Sequence, residues 1–230
     1  MRFFPLASAA SFLLAAAGNA QNLLVNGSFD APVIVGRIPE SAGGTPVQAG
    51  VQSSWAAFAV SPETSDGRVI AGMTTEVART GKQSLFVDFV NVTASSRAAV
   101  LRTHLIPIKG GHTYRVSLWG RIDRKRPLTL DERGAEVLLE VRYFAADQTS
   151  DVGEPVTGTQ LIPGEMVPGT TPELIFRSGK WKESFAKASA PEGAAFIRVT
   201  WTWATPEKSG ETDGVIYWDD AAILDEADAK

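Results

Sequence analysis

Period-two alternation of apolar and polar residues recurs along this chain, and it constrains the fold more than any other feature. Residues 81–90, 114–122, 136–144 and 196–203 each place alternate apolar side chains on one face, which is the pattern of a half-buried β-strand. No stretch after the first 20 residues has the apolar spacing of a convincing amphipathic helix. Roughly eight to eleven strands, separated by turn signals, predict one all-β sandwich or jelly roll.

The first 20 residues have the layout of a secretory signal peptide. Arg2 precedes an apolar run that ends at Ala17, and the small residues 18–20 precede Gln21. The predicted organisation is therefore a signal peptide over 1–20 and a single domain over 21–230. No stretch approaches the roughly 20 apolar residues that a bilayer span needs. We expect a secreted, periplasmic or cell-surface protein without a membrane span.

Charge and composition disfavour several functional classes. The chain carries 22 basic and 26 acidic residues, a net charge of −4, which argues against nucleic acid as a partner. It contains no cysteine, so disulfides, cysteine-ligated metals and a cysteine nucleophile are excluded. Stability must therefore come from the core, helped at most by an oxygen-ligated ion.

Two adjacent aspartates, Asp219 and Asp220, interrupt the apolar run GVIYWDDAAIL at residues 214–224. A carboxylate in such a run must be hydrogen-bonded, matched by a cation or bound to a metal, because burying an unpaired charge is costly. Oxygen ligands favour calcium, and zinc lacks a cysteine or a close histidine pair. The alternative is that one carboxylate faces solvent while the other accepts backbone amides. Alternation assigns the two to opposite faces without showing which face is inward.

Five segments of the chain form an ordered set of motifs. They are NLLVNGSFD, GKQSLFVDF, GGHTYRVSLWGRID, SGKWKESFAKASAPEGA and VIYWDDAAIL. In this order they resemble the signatures of carbohydrate-binding modules of families 4, 9 and 22. The resemblance covers most of residues 22–224 and implies a jelly-roll β-sandwich of the galactose-binding-domain-like type. The chain departs from the family pattern at residues 36–54 and 146–178, which make it longer than such modules.

The resemblance also implies a structural calcium ion that joins the first segment, a loop and the last strand. The matching positions are Asp30, where the family commonly has Glu, a backbone carbonyl near Lys82 or Ser84, and one of Asp219 and Asp220.

Candidate sugar contacts are flat aromatic rings, which stack on the C–H faces of pyranoses, and planar polar side chains, which bind their hydroxyls. The resemblance implies a site on the concave sheet, and it matches the strand face of Ser117, Trp119 and Arg121 to that site. The predicted set is Trp119, Arg121, Ser117, Trp55, Trp201 and Trp203. Trp201 and Trp203 share a strand face with apolar residues, so the alternative that they belong to the core stays open.

The titratable residues form no recognisable catalytic group. Glu136 and Glu140 share a strand face but lie about 13 Å apart at about 3.3 Å per residue, beyond the roughly 5–9.5 Å of glycosidases. His104 and His112 stand in no arrangement that suggests a triad. The leading hypothesis is a secreted, non-catalytic module that binds a polysaccharide, with a β-linked glycan as the expected ligand. The alternatives are a structural or adhesive domain, and a glycoside hydrolase or lyase on the same fold.

Overall fold

The computed structural model describes residues 21–31, 35–37, 55–60, 68–92, 97–127, 136–161, 179–204 and 212–229. These residues form β-strands and one short 3-10 helix at Glu226–Ala229, with no α-helix among them. Within this part of the chain, no helix is long and apolar enough to cross a membrane. The strands are β1 (Val35–Arg37), β2 (Trp55–Val60), β3 (Arg68–Thr74), β4 (Ser84–Val92), β5 (Arg97–Thr103), β6 (Ile106–Pro107), β7 (Thr113–Ile122), β8 (Glu136–Phe144), β9 (Val156–Leu161), β10 (Lys182–Ser189), β11 (Phe196–Ala204) and β12 (Thr212–Asp225).

The described strands form two sheets. The larger sheet has the order β1-β2-β5-β11-β8-β9, with β6 beside β11, and the smaller sheet has the order β10-β7-β12-β4-β3. Neighbouring strands are antiparallel except for the parallel pair β1 and β2. The chain passes repeatedly from one sheet to the other, for example from β4 to β5 and from β7 to β8, as in a jelly roll. The predicted all-β sandwich is confirmed.

One hydrophobic cluster joins the two sheets. Val116 and Leu118 of the smaller sheet and Val141 and Val199 of the larger sheet are fully buried in it. These are the residues that alternation assigns to the inner faces of β7, β8 and β11, so the period-two pattern and the burial agree. The opposite faces of the same strands are left for function.

Two of the predicted sugar contacts belong to this core. Trp55 is completely buried, and its ring stacks on that of Phe29 at 5.0 Å while its indole N–H donates to the carbonyl of Asn26 at 3.0 Å. Trp201 is 3% exposed and its ring lies 6.0 Å from that of Trp55. Neither ring can stack on a sugar, so the prediction is wrong for both. The side chain of Trp203 lies outside the described residues.

The N-terminal segment at residues 22–29 was predicted as a short strand that runs into a turn. The turn is confirmed at residues 25–28, and the strand is reduced to one β-bridge between Asn22 and Leu224. Asn26 and Phe29 have φ values of 61° and 56°, which lie in the left-handed region and are incompatible with a strand. The amide of Phe29 donates to the carbonyl of Asn26 at 3.1 Å. The Asn-Gly turn signal therefore prevails over the apolar residues before it.

Strands β1, β3 and β9 were not predicted. In β3, Val69, Ala71 and Met73 pack against the core, so the segment does alternate, but its small residues make the signal weak. Strand β9 lies within the 146–178 segment, where Gly and Pro suggest a loop. A predicted short strand at residues 174–176 lies outside the described residues.

Gly120 makes room for Trp218 between the sheets. The two residues are opposite each other on β7 and β12, and Trp218 is completely buried. A Cβ atom at position 120 would lie 2.9 Å from Cζ3 of the Trp218 ring. The ring cannot give way because it is packed in the core.

We therefore expect Gly120→Ala to lower the free energy of unfolding by about 1–3 kcal/mol through overpacking, measured by urea denaturation. Gly193→Ala is the matched control, since a Cβ atom there would meet Val152 at an ordinary 3.6 Å. Equal stability of the two variants would contradict the packing described here.

Candidate functional site

A β-bulge at Asp219 and Asp220 interrupts β12. Asp219 lies opposite Trp119 and Ala222 lies opposite Ser117, so β12 contains one extra residue at this point. Asp220 takes the left-handed conformation, with φ of 46°. Trp218 and Ala221, on either side of the pair, both belong to the hydrophobic cluster. Simple alternation, which assigns the two aspartates to opposite faces, is therefore wrong here.

Asp219 is completely buried and accepts three backbone hydrogen bonds. The donors are the amides of Arg79 at 2.7 Å, Thr80 at 3.3 Å and Asp220 at 2.8 Å. Burial raises the pKa of Asp219 to about 6, against the opposing effect of these amides. This is the alternative raised by the sequence, in which one carboxylate caps backbone amides.

Asp220 is partly exposed and pairs with the same loop through side chains. The guanidinium of Arg79 forms an ion pair with its carboxylate, and the hydroxyl of Thr80 donates to that carboxylate at 2.6 Å. Arg79 thus contacts Asp219 through its backbone and Asp220 through its side chain. The loop between β3 and β4 is fastened to the bulge by both aspartates.

The N-terminal segment joins the same place, which we call the junction and define as residues 22–31, residues 77–84 and the bulge at 219–221. The amide of Ala221 donates to the carbonyl of Gly27 at 2.8 Å. The carboxylate of Asp30 accepts the amide of Lys82 at 2.6 Å, and the hydroxyl of Ser84 donates to the carbonyl of Val77 at 2.5 Å. The three segments that the sequence predicted to meet do meet.

The raised pKa of Asp219 predicts a pH-dependent stability. Its value of about 6 in the folded protein exceeds the ordinary value of 3.8, so the folded state binds the proton more tightly. The resulting stabilisation is complete below about pH 4 and is lost as the pH rises through about 6. In buffer free of divalent cations, we expect Asp219→Asn to gain stability relative to the parent over that interval, measured by thermal denaturation. Parallel stability profiles of the two proteins would contradict this assignment.

Trp119 lies on the outer face of the smaller sheet and lines a groove of about 560 Å³, which we call the Trp119 groove. The polar and charged residues that line it with Trp119 are Asn22, Asn26, Ser28, Arg79, Ser117, Glu183 and Asp220. The guanidinium of Arg79 lies over the Trp119 ring, 3.6 Å from its centroid. One face of the ring is therefore already occupied by a side chain.

The other two predicted residues of this face contribute less. Ser117 is only 3% exposed, although it lines the Trp119 groove. Arg121 lies opposite Tyr217, further along the sheet, and is not among the residues that line the groove. The structure thus brings Trp119 and Ser117 together and leaves Arg121 apart.

A second groove, of about 490 Å³, lies on the outer face of the larger sheet. We call it the arginine groove. It is lined by Arg102, Glu140, Arg142, Phe144, Thr149, Asp151, Arg198 and Thr200. These side chains come from neighbouring strands, since Thr200 of β11 lies opposite both Arg102 of β5 and Glu140 of β8.

A turn after β8 completes one end of the arginine groove. The carboxylate of Asp147 accepts the amides of Thr149 and Ser150, both at 2.9 Å, and the hydroxyl of Ser150 at 2.5 Å. The hydrogen bonds from Ser150 lower the pKa of Asp147 to about 2. The turn thereby places Thr149 and Asp151 beside the sheet.

Within this groove, Arg142 forms ion pairs with both carboxylates. Its Nε and Nη2 atoms donate to the two oxygens of Glu140 at 2.9 and 3.2 Å, and its Nη1 atom lies 3.4 Å from the carboxylate of Asp151. The hydrogen bonds to Glu140 raise the pKa of Arg142. Arg102 and Arg198 have no comparable carboxylate partner among the described residues.

The sequence reasoning missed this groove because it followed the apolar faces of the strands. In FIRVTWTW, alternation places Arg198 and Thr200 opposite the face of Trp201, and in EVLLEVRYF it places Glu140 and Arg142 opposite Val141. The outward sets of two strands that pair in one sheet were thus readable as a charged face. Their pairing was not readable, since β8 and β11 are distant in sequence.

No protein-family model and no curated protein matches the chain. One similar solved structure is the CBM22-1 xylan-binding domain of Paenibacillus barcinonensis Xyn10C, at 14% identity, TM-score 0.43, and coverage of 91% of this chain and 97% of that domain. A CBM4 structure matches at 12% identity with a TM-score of 0.45, and the match covers 87% of this chain and 97% of that one. The enzymatically active domain of tailspike protein 4 from bacteriophage CBA120 matches at 11% identity with a TM-score of 0.46. That match covers 89% of this chain but only 21% of the tailspike chain.

Carbohydrate-binding modules of families 4 and 22 are therefore among the structural neighbours, as the sequence motifs predict. All these identities are below 25% and all TM-scores are below 0.5. Likeness at this level identifies neither a family nor a ligand for the chain.

Proposed function

We propose that the protein is a non-catalytic polysaccharide-binding protein and that the glycan lies in the arginine groove. The observation that carries the proposal is an open groove on a sheet face that gathers five planar charged side chains. These are Arg102, Glu140, Arg142, Asp151 and Arg198, and the hydroxyls of Thr149 and Thr200 lie beside them. Such side chains supply the directional hydrogen bonds that sugar hydroxyls need. The ordered motifs shared with carbohydrate-binding modules support the same function.

The Trp119 groove is the competing location on the same protein. In its favour, a half-buried indole lies beside polar side chains, which is the composition predicted from the sequence. Against it, Arg79 covers one face of the ring and is itself tied to the bulge. A pyranose that stacks on this face of the ring would have to displace that cation–π contact and weaken the junction.

The non-catalytic assignment rests on the carboxylates of the arginine groove. Glu140 and Asp151 both contact the guanidinium of Arg142, and this is an ion-pair network. A glycosidase instead needs one carboxyl group that carries a proton beside one that is free to act as base or nucleophile. The side chain of Glu136 lies outside the described residues.

The location is tested by blocking each groove in turn. Thr200 is 7% exposed and lies between Arg102 and Glu140 on the floor of the arginine groove. We expect Thr200→Phe to abolish retention of the chain on polysaccharide-containing native gels, because the phenyl ring fills the groove, and Trp119→Ala to leave retention unchanged. The gels should include neutral and acidic polymers, and the parent should release no reducing ends from any of them.

The reverse pattern, with retention lost in Trp119→Ala and kept in Thr200→Phe, would move the site to the smaller sheet. Failure of the parent to bind any polymer would overturn the proposed function and favour the structural or adhesive alternative. Circular dichroism of both variants checks that each is folded.

A calcium ion at the junction stays a prediction. The three segments that the ion would join do meet, but the described partners of Asp219 are backbone N–H groups, and Asp30 accepts the amide of Lys82 and the hydroxyl of Ser28, whereas calcium takes several oxygen ligands at once. As arranged, these residues do not form a calcium shell, and among the described residues no group of three acidic or histidine side chains gathers there.

If calcium binds at the junction, a chelator lowers the melting temperature of the parent, and Asp219→Ala or Asp220→Ala removes that sensitivity. Differential scanning calorimetry with and without the chelator measures the shift. A parent melt that is identical in both buffers rules the ion out and leaves Arg79 as the cation of the bulge.

Secretion, with cleavage before Gln21, and preference for a β-linked glycan also stay predictions. The first 20 residues lie outside the described part of the chain.

A further inference from the structure

We propose that the arginine groove selects an acidic polysaccharide and binds a sugar carboxylate between Arg102 and Arg198. This inference rests on the proposed function, since it names the class of glycan that the same groove takes. Five steps lead to it, from the charge of the groove to the chemistry of the ligand.

The first step is the charge of the groove. Its lining contains three arginines and two carboxylates, so it carries a positive charge in a chain whose net charge is −4. A positive groove on a negative protein attracts anions locally, while the rest of the surface repels them. General adhesion of the chain to a polyanion is therefore not expected.

The second step is that the three arginines of the groove differ in their ion-pair partners. Arg142 pairs with both groove carboxylates, Glu140 and Asp151, and these three side chains together carry one negative charge. Arg198 lies over the ring of Phe144 at 4.7 Å, and neither it nor Arg102 forms an ion pair within the described residues. The surplus charge of the groove therefore belongs to Arg102 and Arg198.

The third step is the position of these two arginines. Arg102 lies opposite Thr200 in the pairing of β5 with β11, and Arg198 is two residues from Thr200 on the same strand. Diagonal neighbours of this kind lie about 7–8 Å apart at the backbone, within reach of long side chains. Both guanidinium groups can thus contact one anion above Thr200.

The fourth step is that Arg102 and Arg198 lack a carboxylate partner among the described residues. The Nε atom of Arg102 is buried and has no hydrogen-bond acceptor among the described residues. Burial, and then the neighbouring charge of Arg102, lower the pKa of Arg198. An anion between the two guanidinium groups would relieve their mutual repulsion.

The fifth step is the absence of a stacking ring in the lining. Its one aromatic residue, Phe144, is 6% exposed, and Arg198 lies over it. A neutral pyranose would find no open aromatic face in this groove, so stacking cannot supply the affinity there. The planar fork of a guanidinium matches a carboxylate in a bidentate geometry, which favours a uronic acid.

The test compares one polymer with and without its charge. Polygalacturonate and its fully methyl-esterified form share a backbone, and only the first has carboxylates. We expect the parent chain to be retained by polygalacturonate in affinity electrophoresis, to lose that retention when the polymer is esterified, and to bind more weakly as salt is raised.

Variants locate the carboxylate. Arg102→Gln and Arg198→Gln should each weaken binding to polygalacturonate about ten-fold or more, the loss expected for one charge-assisted contact. Lys187→Gln is the control, because it removes the same charge from an exposed position on the smaller sheet, where Lys187 pairs with Glu226 at 2.8 Å. We expect it to bind as the parent does.

The outcomes separate the two proposals. Equal retention by the charged and esterified polymers, or by neutral xylan, would overturn the inference while leaving polysaccharide binding intact. Retention by a sulfated polymer such as carrageenan but not by polygalacturonate would also overturn the carboxylate assignment. Failure to bind any polymer would instead overturn the proposed function itself.

Discussion

The buried carboxylate of Asp219 is the interaction on which the smaller sheet depends. It accepts the amides of Arg79 and Thr80, so it holds the loop between β3 and β4 against β12, the strand at the centre of that sheet. The same bulge receives the N-terminal segment through the bond from Ala221 to Gly27. Two chain segments that are distant in sequence are thereby fixed to the last strand. The cost of burying the charge is partly offset by these amides, and the pKa of Asp219 stays raised to about 6.

Because these structural contacts belong to the smaller sheet, the outer face of the larger sheet is available for the proposed ligand. The aspartates, Arg79 and Trp119 form one connected set at the junction, so a ligand there would compete with contacts that hold the fold together. Among the described residues, no comparable set of contacts on the outer face of β5, β8 and β11 holds the fold together. Its arginines lie over a sheet whose inner face is fully packed by Val141, Val199 and Leu101. The proposed ligand contacts and the core contacts thus alternate along the same strands.

Period-two alternation was sufficient to predict the sandwich, most of its strands and the inner faces of β7, β8 and β11. It failed at the bulge of Asp220, where the backbone departs from regular strand geometry, because the contacts that accompany its positive φ are remote in sequence. Trp55 and Trp201 were predicted to stack on a sugar because they are aromatic, yet both rings are buried in the core. The arginine groove escaped because its residues meet only through the pairing of strands far apart in the chain.

The central claim is that a glycan carboxylate lies on the larger sheet, beside Arg102 and Arg198. The most direct measurement is a titration of the isotope-labelled protein with a short oligogalacturonate, followed by amide chemical shifts. The account predicts that the shift changes cluster at Arg102, Glu140, Arg198 and Thr200, while the indole N–H of Trp119 stays unchanged. Shift changes centred on Trp119 and Ser117, with the larger sheet unaffected, would contradict it.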